Sequence, residues 1–173
     1  GALVFIVADD PGLASSQNEQ DTRRYAVAAG VPLVEPSDSQ EAYDFTRLAF
    51  EISGRWKIPV IVKLTTRVCH SGTIVVPRKA DAGLPEAHFE RNIPYHVMVP
   101  GHARPAHRRL RQKLAEIAEW NEKEGLNQKV KGSKDLGILV SGVAYQHARE
   151  AAPGASFFKV GMSYPLPMRQ MLD

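Results

Sequence analysis

Cys69 is the only cysteine in this chain of 173 residues. That count excludes an internal disulfide and any cysteine-ligated metal or iron–sulfur centre built from these residues alone. A reducing compartment suits such usage. Long apolar stretches are also missing: the hydrophobic runs fall far short of the roughly 20 residues that span a bilayer, and no charged-then-apolar leader opens the chain. The expectation is a soluble, cytoplasmic protein with no membrane contact. Neither a Walker phosphate loop nor a Gly-x-Gly-x-x-Gly fingerprint occurs, and Gly161-Met-Ser-Tyr-Pro165 is not a phosphate loop. The formal charge of +3 and a pI near 9.1 trace in part to a bunch of basic residues, Arg104, His107, Arg108, Arg109, Arg111 and Lys113. No aromatic residue interleaves with them to stack bases, so they read as a solvated helix face and no nucleic-acid partner is expected.

What is present is a globular composition, 43% hydrophobic, enough for one ordinary domain or two small ones. Ala2 to Val7 is apolar without alternation, the pattern of a parallel strand covered on both faces. A helix follows over about Gln20 to Ala29, ended by Gly30, then a short strand at Val31 to Val34. Ser37-Asp-Ser-Gln40 has capping-box spacing, and Ala42, Phe45, Leu48, Ala49 and Ile52 share one helical face before Gly54 closes the helix. Ile58 to Leu64 is a third, almost continuously apolar strand. Alternating strands and helices with short links predict α/β architecture, a parallel sheet with flanking helices and right-handed crossovers. Residues 77–104 lose periodicity and read as a linker. A helix from about Pro105 to Glu124, closed by Gly125, then a charged connector, Asn127 to Asp135, lead to a second β-α-β start: strand Leu136 to Val140, helix Val143 to Ala151, strand Ser156 to Val160. Both ends read as cuts through a longer polypeptide, because a buried parallel strand needs a neighbour on each side.

Two polar loops follow the first and third strands, at the carboxyl ends where open parallel sheets bind ligands. The first holds Asp9, Asp10, Ser15, Ser16, Gln17, Asn18, Asp21 and Arg23, the second Thr65, Thr66, Arg67, His70 and Ser71. If the strands are close, the loops face each other across one crevice. Arg23 and Arg67 then offer bidentate clamps for a carboxylate or phosphate, Gln17 and Asn18 neutral donors and acceptors, and His70 a proton shuttle. Each has a bland alternative: Asp10-Pro11 as a turn, Ser16 or Asn18 as a helix cap, Arg67 paired with a sheet-edge carboxylate. Metal binding is not expected. Asp9 and Asp10 point to opposite sides of a strand, Cys69 and His70 are read as facing apart, and His70 has no histidine at i+4.

The strings Val7-Ala-Asp-Asp-Pro11, Ser15-Ser-Gln-Asn-Glu-Gln-Asp21 with Arg23, Glu35-Pro-Ser-Asp-Ser-Gln-Glu-Ala42, Thr65-Thr-Arg67 with His70-Ser71, and Ser141-Gly-Val-Ala-Tyr145 together resemble the alpha subunit of indolepyruvate:ferredoxin oxidoreductase, in the thiamine-diphosphate-dependent 2-oxoacid:ferredoxin oxidoreductase family. The resemblance runs from Gly1 to about Asp173 and is weakest between Val76 and Lys134. It implies an enzyme that oxidatively decarboxylates aryl 2-oxoacids to acyl-CoA and passes electrons through iron–sulfur clusters to ferredoxin. It also implies that residues 1–76 are the latter part of a pyrimidine-binding-like domain, and that 105–173 begin a domain similar to the carboxyl-terminal domain of transketolase. Asp10, Ser16, Gln17, Asn18, Asp21, Arg23, Thr66, Arg67 and His70 would then face cofactor or substrate, with Arg23 on the oxoacid carboxylate.

The departures matter equally. In such enzymes the glutamate that bonds the aminopyrimidine lies upstream of the segment matching Gly1, so Glu19 does not inherit that task. The Gly-Asp-Gly…Asn motif that holds magnesium and diphosphate is missing, as are cysteine-rich ferredoxin-like modules. The implied thiamine diphosphate and Mg would be shared with another domain or subunit, the iron–sulfur clusters would sit elsewhere in a homo- or hetero-oligomer, and the chain alone would have no turnover. A pyruvate or 2-oxoglutarate ferredoxin oxidoreductase subunit, or a non-catalytic subunit-assembly module, are the competing readings.

Overall fold

The computed structural model describes residues 1–79, 88–123 and 126–172. In chain order the elements are β1 (Val4–Asp9), α1 (Thr22–Ala29), β2 (Leu33–Val34), α2 (Ser39–Trp56), β3 (Val60–Thr65), α3 (Thr66–His70), α4 (Ile93–His96), α5 (Pro100–Asn121), β4 (Gln128–Val130), β5 (Ser133–Ser141), α6 (Ala144–Ala151), β6 (Ala155–Val160), β7 (Met162–Tyr164) and α7 (Met168–Leu172). One sheet has the order β1-β3-β2-β7 and a second the order β4-β6-β5. β1 and β2 both pair with β3 in parallel, as does β5 with β6, while β7 and β4 add as antiparallel strands. The architecture is the α/β one expected from the alternating pattern, with mixed rather than purely parallel sheets.

Parallel pairing puts apolar residues on both faces of the first sheet, and each face finds a helix. Val34, Val60 and Val62 pack with Phe45, Ala49, Ile52 and Trp56 of α2, whereas Leu33 and Ile61 pack with Ala26 of α1. Ile117 of α5, Leu126 and Met162 complete the α2-side core, with Leu110, Leu114 and Trp120 packed against it. Trp56 and Trp120 meet edge to face at 5.7 Å. The second sheet packs Ala155 and Phe157 against Tyr145 of α6. The chain returns from the second sheet to the first at one residue: Gly161 alone separates β6 from β7, and its carbonyl accepts the Glu35 N–H at 2.8 Å.

Several local expectations are corrected. β1 is an edge strand pairing only with β3, and Phe5 and Ile6, on opposite faces, are 49% and 55% exposed. Its composition is that of an interior strand, but among the described residues only one strand pairs with it, and while Val4 and Val7 pack against the two cores, Phe5 and Ile6 stay open. α2 begins at Ser39 with Asp38, not Ser37, as N-cap: Asp38 accepts the Glu41 N–H, and Glu41 accepts the Ser37 N–H. Gly54 does not end α2, which runs to Trp56 because Ile52, Ser53 and Trp56 are buried in its packing face; Lys57 closes it in the left-handed region. The segment after β3 coils into α3 rather than a loop. α5 starts at Pro100, with Pro105 inside; Pro100 in the first turn sacrifices little, since the first N–H groups lack intrahelical acceptors, whereas Pro105, sixth in the helix, forgoes one bond to the preceding turn. The closing Gly125 lies outside the described residues. Within the charged connector, Gln128–Val130 forms β4 against β6.

Candidate functional site

The carboxyl ends of β1 and β3 lie side by side, with Ala8 opposite Leu64 and Asp9 opposite Thr65. The two polar loops therefore meet. Asp10 joins them: one carboxylate oxygen accepts the N–H groups of Ser15 and Ser16 at 2.7 and 2.6 Å, and the other accepts the Thr66 hydroxyl at 2.7 Å. The Thr66 hydroxyl and the Ser15 amide hold the Asp10 carboxyl well below the usual carboxylate range, as donors to a charged form must. The loop is tied again at its far end, where Glu19 accepts the Gly12 N–H at 3.0 Å, and Gly12 takes a positive φ of 75° that suits glycine.

A cleft of about 280 Å³ opens here, lined by Asp10, Ser15, Ser16, Asn18, Gln20, Thr66, Cys69 and His70. Cys69 and His70 thus share one wall, contrary to the expectation that they face apart, because the helical turn of α3 swings consecutive residues by about 100° rather than 180°. Ser15, named among the crevice residues, lines the cleft; Gln20 was not singled out. Its signal, a polar side chain in the same loop, was there, but periodicity does not tell which loop residues turn inward.

Other candidates sit apart from this cleft. Asp21 caps α1 by accepting the Arg23 N–H, so neither Ser16 nor Asn18 is the cap. The Arg23 guanidinium chelates the Asp21 carboxylate through Nε at 2.8 Å and Nη2 at 2.9 Å, which lowers the Asp21 pKa. Gln17 is exposed. Arg67 lines a different cavity, about 530 Å³, between the start of α2 and that of α6, with Ser37, Asp38 and Gln146. The structure brings together Asp10, Ser16, Asn18, Thr66 and His70, and separates Arg67 from them.

Beneath the start of α1 lies a buried charged group that the sequence did not disclose. Lys63, inward-facing on β3, stands 3.5 Å from Asp9 at the end of β1 and 3.5 Å from Glu35 just after β2. Asp9 also accepts the N–H and hydroxyl of Thr22, the first residue of α1. The other Glu35 oxygen, Oε1, is buried without a hydrogen-bond donor among the described residues. A charged lysine within an apolar run reads as an interruption in sequence; only adjacent parallel strands place its two counter-charges. No group of three or more His, Cys, Asp or Glu among the described residues is arranged to hold a metal ion.

No family model matches the chain. Among curated proteins it is 35% identical over 174 residues to the indolepyruvate oxidoreductase subunit IorA of Archaeoglobus fulgidus, an alignment that covers 98% of this chain and 28% of that protein. It is 37% identical over 171 residues to the subunit of the same name from Methanothermobacter thermautotrophicus, covering 95% of this chain and 28% of that one. The Thermococcus kodakarensis subunit matches at 37% over 179 residues, covering 96% and 28%. The chain spans little more than a quarter of the length of these relatives. Matched along nearly its whole length, the chain belongs, as a partial chain, to the family of the indolepyruvate oxidoreductase subunit IorA.

Proposed function

We propose that this chain supplies one wall of the cofactor and substrate pocket of a thiamine-diphosphate-dependent 2-oxoacid oxidoreductase, the other wall coming from another domain or subunit. The observation that carries this reading is the Asp10 carboxylate, which gathers both polar loops into one cleft at the strand ends. Beside the Asp10 carboxylate the lining is polar: hydroxyls of Ser16 and Thr66, amides of Asn18 and Gln20, and the His70 imidazole. Such a set fits a heterocyclic ring with nitrogen donors and acceptors; it lacks the cations or grouped carboxylates that a magnesium diphosphate needs. Thiamine diphosphate, when bound, supplies the electron sink for decarboxylation. This chain's residues orient the ring and shield it from water.

The surface supports a shared pocket. The chain exposes 11570 Å², where a self-contained protein of 19.1 kDa exposes about 8,400 Å². Such a surplus fits a segment that works against other polypeptide. The division into a pyrimidine-binding-like part over 1–76 and the start of a transketolase-like part from 105 belongs to the same proposal, as do indolepyruvate as substrate, coenzyme A and ferredoxin as co-reactants, and iron–sulfur clusters elsewhere in the complex. Arg23 lies outside the Asp10 cleft and is chelated by Asp21 through Nε and Nη2; its assignment to the oxoacid carboxylate requires the substrate to extend past the cleft toward the start of α1.

Calorimetric titration of thiamine diphosphate with magnesium into the intact protein, with and without its partner subunit, tests the reading. Binding that weakens in Thr66→Val and Asn18→Ala is expected. No binding in either preparation would overturn it. Steady-state comparison of indolepyruvate, pyruvate and 2-oxoglutarate then decides among substrates, and Arg23→Ala is expected to raise KM by about tenfold or more through loss of a charge-assisted contact.

A further inference from the structure

The charges of α5 oppose its own dipole. Its first two-thirds carry Arg104, Arg108, Arg109, Arg111 and Lys113 and no carboxylate, whereas Glu116 and Glu119 stand toward its end and Glu122 at the C-cap. Helix N-termini favour negative charge and C-termini positive charge, and like charges four apart, as in Arg104 and Arg108, repel. The acidic end has a use within the chain. Glu119 binds Arg169 at 2.8 Å, and Glu122 accepts the N–H groups of Arg169 and Gln170, which docks α7. Part of the basic region is also used: Arg109 lies over the Tyr95 ring, and Lys113 donates to the Lys57 carbonyl at 3.0 Å.

Arg104, Arg108 and Arg111 have no such use. Their i, i+4, i+7 spacing puts them on one face, all are exposed, and none has an acidic or aromatic partner among the described residues. Without the five cations between Arg104 and Lys113 the formal charge would fall from +3 to −2. Beside this row, α1 and α5 leave an open groove of about 440 Å³. Val27, Leu110, Leu114 and Tyr164 line it, with His107 and Arg111 among its polar residues, and Val27 is 56% exposed. Guanidinium groups beside an apolar recess are what protein interfaces are enriched in.

We propose that this face of α5 docks an acidic protein surface, its carboxylates spread over about 10 Å along the arginine row and one apolar side chain seated in the groove. A protein fits better than a nucleic acid because α5 holds no aromatic residue before Trp120 to stack bases, and the recess takes a side chain. The inference does not depend on the pocket proposed above.

The test uses the intact protein and three probes at matched ionic strength: poly-L-glutamate, a DNA duplex and phosphatidylserine vesicles. Poly-L-glutamate is expected to bind, less tightly as salt rises. The triple variant R104Q/R108Q/R111Q should lose about tenfold or more in affinity, yet melt at a slightly higher temperature, because the repulsion between arginines three and four residues apart is gone. R104K/R108K/R111K, which keeps the charge, should lose less. Unchanged affinity in the glutamine variant, equal loss in both variants, or tighter binding to DNA or vesicles than to poly-L-glutamate would each overturn the proposal.

Discussion

The Asp10 carboxylate and the Thr66 hydroxyl lie 2.7 Å apart although 56 residues separate them, and this one bond closes the first polar loop onto the end of β3. Thr66→Val keeps the shape and removes the donor. The amides of Ser15 and Ser16 still hold Asp10, so the fold should survive while the loop loosens. Expected are faster hydrogen exchange across residues 11–20 and weaker thiamine diphosphate binding, with an unchanged far-ultraviolet dichroism spectrum.

The same carboxylate sets a pH response. Asp10 and Asp21 are both held below their ordinary values, Asp10 first by Thr66 and Asp21 first by Arg23. A depressed carboxyl contributes stability above its unfolded value, near 3.9, and loses it as pH falls toward its folded value. Exchange protection of residues 11–20, corrected for intrinsic rates, should therefore not change through these two groups between pH 8 and 5, and should drop below about pH 4. A drop centred between pH 6 and 7 would contradict this assignment.

Lys63 is ion-paired at 3.5 Å with two buried carboxylates, Asp9 and Glu35. Lys63→Met leaves Asp9 and Glu35 buried without their ion-pair partner, and removing one member of a buried ionic group costs about 3–5 kcal/mol. Urea denaturation of the intact protein should show that loss. The double variant Lys63→Met with Glu35→Gln should recover part of it, because one uncompensated charge is gone.

Ile117 is fully buried in the core that α5 shares with α2 and the first sheet. Ile117→Ala is expected to destabilise by about 2–5 kcal/mol through lost burial and a residual cavity. Ala115→Ser, at an exposed position on the same helix, should change stability by less than about 0.5 kcal/mol.

Gly161 tolerates no side chain. A Cβ there would overlap the Leu126 carbonyl and side chain, and both are held, since Leu126 is buried and Asn127 accepts the Gly161 N–H at 3.0 Å. Gly161→Ala should cost about 1–3 kcal/mol by overpacking and should loosen the passage from β6 into β7, read as faster exchange in β7.

The strands, the main helices and the α/β class were legible because their signal is local. Apolar runs of strand length and helical spacing at Phe45, Ala49 and Ile52 depend only on the period of the backbone. The meeting of the Asp10 and Thr66 loops was also legible, since β1 and β3 are parallel and both loops leave the same edge. Edge exposure of β1, the antiparallel additions β4 and β7, and the shared core of α5 were not, because strand order is set by which surfaces find each other in space. Helix ends moved for the same reason: Gly54 carries a stop signal, but burial of Ile52, Ser53 and Trp56 outweighs the roughly 1 kcal/mol that an interior glycine costs.

By itself, then, the order of residues determined the main strands and helices and which strand-end loops are polar, since those follow from propensity and periodicity along the backbone. Only the tertiary structure decided that Arg67 leaves the cleft where His70 stays, that Arg23 is paired with Asp21, and that Lys63 is flanked by Asp9 and Glu35. Those are facts about direction and distance between residues far apart in the chain, and they arise when packing of the two sheet faces fixes how each side chain points.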